Sequence, residues 1–113
     1  MKIASVLKDI TYGDTAPNVS VLINTNNTKE VRIVFKQAQE MKQHKAPYPI
    51  VVSVVEGSID FGVGNERFIL EKGMMIALEA SIPHDLKALQ NSIVRLSLNK
   101  SDNVERPIAS ANS

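Results

Sequence analysis

Apolar and polar side chains alternate with a period of two along much of the chain. Ile59, Phe61 and Val63 alternate with Ser58, Asp60 and Gly62, and Val31, Ile33 and Phe35 alternate with Arg32, Val34 and Lys36. Val94, Leu96 and Leu98 are likewise separated by Arg95 and Ser97. Successive side chains of a strand point to opposite faces, so this alternation predicts strands with one buried face. The run from Ile50 to Val55 is almost continuously β-branched, broken only by Ser53, and predicts a central strand buried on both faces. Turn signals separate the runs: Glu56-Gly57, the stretch 62–66 containing Gly64-Asn65, and Glu71-Lys72-Gly73. Strands are expected at 19–24, 30–36, 40–45, 49–56, 58–63, 66–70, 74–78, 84–89 and 92–98. Short strands with such regular turns predict an all-β sandwich or barrel.

One segment competes with this pattern. Residues 36–43 are rich in good helix formers, but they carry no amphipathic stripe, and Pro47 and Pro49 follow closely. They are therefore expected to form a turn leading into a strand. The polar stretch 24–28 reads as a loop. Residues 1–100 are expected to form one barrel domain, and the small, polar, aperiodic residues 101–113 a tail. Both ends read as peripheral.

Charge narrows the function classes. Thirteen basic and twelve acidic side chains are interspersed to a net +1, and aromatics are few, so the basic footprint of a nucleic-acid binder is missing. The absence of cysteine excludes disulfides, thiolate metal sites and a cysteine nucleophile. There is no serine in a nucleophile-elbow pattern and no glycine-rich phosphate loop. The opening residues 1–9 lack an apolar stretch long enough for a signal peptide, and no later segment is apolar enough to span a bilayer. The expectation is a cytoplasmic protein without a membrane partner.

The chemistry that remains centres on the two histidines. His44 opens the segment His44-Lys45-Ala46-Pro47-Tyr48-Pro49-Ile50, which runs through Val55 to Glu56-Gly57. His84 follows Pro83 in a segment that begins at Gly73 and runs through Met74, Met75 and Glu79. This pair of segments resembles the two motifs of the cupin superfamily, and the resemblance covers roughly residues 30–98. It implies a double-stranded β-helix, the jelly-roll barrel, with a site in the lumen. His44 and Gly57 match the ends of the first motif, and Gly73 and His84 those of the second. Ala46 stands where a second histidine is expected, Ile50 where the glutamate is expected, and Glu79 where the second motif has proline.

Two of the four metal donors that the resemblance implies are therefore replaced by alkyl groups. A transition metal is held by three or four protein donors, so two imidazoles with water would hold one weakly. Gln43, Tyr48, Glu79 or a methionine could supply a third donor, and spacing selects none of them. On a regular strand Lys42, His44 and Ala46 share a face, and alanine at 46 leaves room beside His44. The expected pocket comprises His44, Ala46, Tyr48, Ile50, Met75 and His84, while Met41, Met74 and Met75 read as adaptable core. Asp85 is expected on the face opposite His84.

Two functional readings follow. In the first, the lumen binds a small molecule near His44 and His84 with no cofactor. In the second, His44 and His84 hold a weakly bound divalent transition metal for oxygenase- or isomerase-type chemistry. The residues leave open whether the protein is an enzyme. The resemblance further implies a homodimer formed by pairing or swapping edge strands.

Overall fold

The structure, a computed structural model, describes residues 1–100, so the expected tail at 101–113 lies outside the described residues. Nine strands follow one another: β1 (Asn18–Asn24), β2 (Thr28–Phe35), β3 (Glu40–His44), β4 (Ile50–Glu56), β5 (Ser58–Val63), β6 (Glu66–Glu71), β7 (Met75–Leu78), β8 (His84–Ala88) and β9 (Ser92–Asn99). They form a five-stranded sheet in the order β1-β2-β9-β4-β7 and a four-stranded sheet in the order β3-β8-β5-β6. All pairings are antiparallel. From β2 onward the chain repeatedly crosses from one sheet to the other, so strands distant in sequence become neighbours. The all-β jelly-roll expectation holds.

The period-two residues meet between the sheets. Val31, Ile33, Phe35, Ile50, Val52, Val54 and Val94 of the first sheet pack with Ile59, Phe61, Leu70, Leu86 and Ala88 of the second. Phe35 and Phe61 are wholly enclosed. Two glycines set the geometry of this stack. Gly64 has φ 60° and opens the two-residue turn between Val63 and Glu66, where a primed turn matches the twist of the hairpin. Gly57 has φ 91° and carries the chain from β4 into β5, and a Cβ there would be driven into Ser92 and the Asn91 carbonyl.

Three expectations are corrected. β4 is buried on its inner face, but Val51 and Val55 on the other are half-exposed, because the outer side of this sheet is only partly covered. Met74 and Met75 are not core. They sit where β7 forms the border of its sheet, and only Met41 of the three methionines packs against the core. Nor is the N-terminal segment peripheral. Arg32, 7% exposed, projects from the outer face of β2 and donates to the carbonyls of Ser5, Val6, Lys8 and Asp9. Asn18 donates to Thr11 O, and Gln39 to Gly13 O. The segment thereby covers Arg32, which the alternation assigned to the solvent face; Val34, assigned to the same face, is also fully buried. Beside it lies a groove of about 170 Å3 lined by Ala4, Val6, Leu22, Ile23, Glu30 and Arg95.

Candidate functional site

β3 and β8 are adjacent, and their register places His44 directly opposite His84. The register is not regular. Met41 pairs with Leu86 and His44 with His84, so three residues of β3 span two of β8. This β-bulge re-aims the end of β3. Met41 and His44 consequently stand beside the inward-facing residues of β8, and the expected face of Lys42, His44 and Ala46 is not formed. Lys42 is exposed. The two imidazoles lie with ring centroids 4.4 Å apart at an interplanar angle of 58°.

His84 is the deeper ring, 3% exposed, and it stacks on Phe61 at 5.6 Å with an interplanar angle of 9°. Val63 of β5 pairs with His84 in register and packs against the core. His44 is exposed at the rim. Phe61, His84 and His44 therefore form a ladder of rings running from the core to the barrel mouth. Loop 79–83, which leads into β8, is tied to the β3–β4 loop by Ser81 N donating to Ala46 O at 2.7 Å.

The hydrogen bonds assign both tautomers. His44 Nδ1 lies 2.8 Å from Lys42 O and His84 Nδ1 lies 2.9 Å from Ile82 O. A carbonyl oxygen only accepts, so each Nδ1 carries the proton and donates. In the neutral ring Nε2 is then left with its lone pair. Neither Nε2 has a hydrogen-bond partner among the described residues. Burial holds the His84 imidazole below its ordinary value; the Ile82 carbonyl opposes this, nearby His44 adds to it and Asp85 opposes it weakly. The deeper ring is thus neutral at neutral pH.

The expected pocket residues are only partly brought together. Ala46 packs against the core and Ile50 belongs to it, at the same end of the barrel as the histidines. Tyr48 is half-buried in the β3–β4 loop and makes no ring contact with either histidine among the described residues. Met75 is 63% exposed on the outer side of β7, where Ile76 and Leu78 take the inward positions, so it does not line the lumen. Asp85 faces outward as expected. There Arg67 bridges it to Asp60, at 2.9 and 3.0 Å, lying across Gly62, where a side chain would collide with the guanidinium. Three residues at the site, Met41, Phe61 and Val63, were not singled out. The alternation marks Phe61 and Val63 as inward, but nothing local in the sequence pairs their strand with β8.

The donors do not fit a complete metal centre. Among the described residues no group of three or more histidine, cysteine, aspartate or glutamate side chains could hold an ion. Around His84 the remaining walls are alkyl or aromatic, and no buried side chain in the described residues is a carboxylate.

No family model matches the sequence, and no curated protein matches it. Solved structures do match the fold. An RmlC-like cupin protein from Desulfovibrio desulfuricans superposes with a TM-score of 0.81 at 22% identity, covering 88% of this chain and 97% of the other. The fold is that of a small cupin domain. An uncharacterised conserved protein with a double-stranded β-helix domain from Klebsiella pneumoniae gives a TM-score of 0.78 at 20% identity, over 91% of this chain and 94% of its own. A cupin 2 conserved barrel domain protein from Leptotrichia buccalis gives 0.73 at 27% identity, over 80% of this chain and 44% of the other. Among the described residues, no helix is long and apolar enough to cross a membrane.

Proposed function

We propose that this cupin binds a small organic molecule at the barrel mouth, against His44 and His84. One observation carries the reading: two imidazoles stand 4.4 Å apart at the edge of the apolar core, with both Nδ1 atoms committed to backbone carbonyls and neither Nε2 hydrogen-bonded among the described residues. Apolar walls with a few convergent polar groups are the usual composition of a small-molecule site. Ligation of a transition metal by the same two rings is less well supported, because among the described residues no third histidine, cysteine or carboxylate accompanies them.

A thermal-shift screen of the metal-free protein against chemically diverse metabolites tests the reading. A ligand at a hundred times its Kd stabilises the folded state by about 2.7 kcal/mol, a readily measured rise in Tm. That rise should vanish in His44→Ala. If no compound class raises Tm, the reading fails.

A homodimer forms part of the proposal. It is supported by the short border strand β7, whose Met75 and neighbouring Met74 are 63% and 46% exposed. Light scattering at micromolar concentration should give twice the monomer mass, and a monomer would remove this part.

A further inference from the structure

Resting on the binding reading above, we infer that the ligand class is a neutral hydroxylated molecule, whose hydroxyl groups donate to the Nε2 atoms of His44 and His84.

The hydrogen-bond inventory of the two rings decides the polarity. Each Nδ1–H is already satisfied by a carbonyl two residues earlier, Lys42 O for His44 and Ile82 O for His84. What the pair offers a ligand is therefore two acceptors and no free donor. An acceptor-only ligand, such as a carboxylate or a ketone, meets lone pairs. With both Nδ1–H groups committed to carbonyls, neither ring has a free N–H to donate to it.

The surrounding side chains decide the charge. A primary ammonium could also donate to both nitrogens, but it would have to leave water for a site bordered by the apolar core residues Phe61 and Leu86 and by Val63. No buried carboxylate among the described residues would offset that desolvation. The nearest carboxylate in sequence, Asp85, is on the outer face and held by Arg67. Lys42, Lys45 and Glu79 at the rim are exposed and solvated. A neutral hydroxyl satisfies the acceptors without carrying a charge inside, and an apolar part of the same molecule fits the alkyl walls.

The test is calorimetric titration of the chelator-treated full chain with matched probes: glucose, ribitol and catechol, then gluconate, glucosamine and zinc ion. The inference expects at least one neutral hydroxy compound to bind at least tenfold more tightly than the carboxylate and amine probes without metal. It also expects that binding to fall at least tenfold in His44→Ala, whose exposed position leaves the fold intact. Tighter binding of gluconate or glucosamine, or binding of any organic probe only after zinc is added, overturns this inference while leaving the small-molecule reading standing. Binding that is unchanged in His44→Ala also overturns it. No binding by any organic probe overturns both.

Discussion

Replacing His84 or His44 by alanine should abolish the same ligand contact at very different cost to the fold. His84 is 3% exposed, stacks on Phe61 and donates to Ile82 O. Losing the hydrogen bond costs about 1 kcal/mol. The ring stack adds about 0.5–1.5 kcal/mol beyond its area. The carbon surface of the ring, at ~25 cal/mol per Å2, adds roughly 1 kcal/mol. His84→Ala should therefore lose about 3 kcal/mol, and at about 4 °C per kcal/mol for a domain of this size Tm should fall by about 12 °C. His44 is exposed, and its bond to Lys42 O is open to water, so His44→Ala should stay within about 0.5 kcal/mol of wild type. Urea denaturation followed by far-ultraviolet circular dichroism at pH 8, where His84 is neutral folded and unfolded, measures both variants. Equal losses in the two, or a stable His84→Ala protein, would refute the assignment of His84 to the core and His44 to the rim.

Three further outcomes are expected. Because the folded His84 binds its proton less readily than an unfolded histidine of pKa about 6.5, the unfolded chain takes up more protons as pH falls below that value. This contribution to stability is complete above about pH 6.5 and is lost on acidification; the denaturation midpoint between pH 8 and 5 should fall less steeply in His84→Ala, and identical slopes would contradict it. Gly57→Ala should cost about 2 kcal/mol or more, from the left-handed backbone alone about 1–2, with Ser92 displaced besides, and an unchanged urea midpoint would dismiss the constraint. Arg32→Met removes every side-chain donor to the carbonyls of residues 5–9, so amide exchange there should quicken while β4 and β9 stay protected; unchanged exchange would show that the segment is held by other contacts.

Much of the barrel was legible because its cause is local. Ile59-Phe61-Val63 and Val31-Ile33-Phe35 state which face is buried, and Gly57 and Gly64 state where the chain turns. Features that depend on a partner strand were not legible. The bulge in β3 arises from its pairing with β8, so the sequence pattern predicted a regular strand with Lys42 on the wrong face. Met75 looked like core because it is apolar, yet its neighbours Ile76 and Leu78 hold the inward positions on β7. The covering of β2 by the N-terminal segment had one trace, a charged Arg32 within an apolar strand, and a solvent-facing reading accounted for that equally well. At the site, the sequence singled out both histidines and the lost donors at Ala46 and Ile50. It could not give the carbonyl partners that assign the tautomers.

Those tautomers are the premise on which the binding account stands. With only two histidines in the chain, long-range proton–nitrogen correlation spectra of the ring nitrogens at pH 8 resolve each one. The account predicts Nδ1 protonated and Nε2 bare in both rings, with both Nε2 signals shifting together when a hydroxylated ligand is added. Protonated Nε2 in either ring, or a ligand that shifts neither, would contradict it.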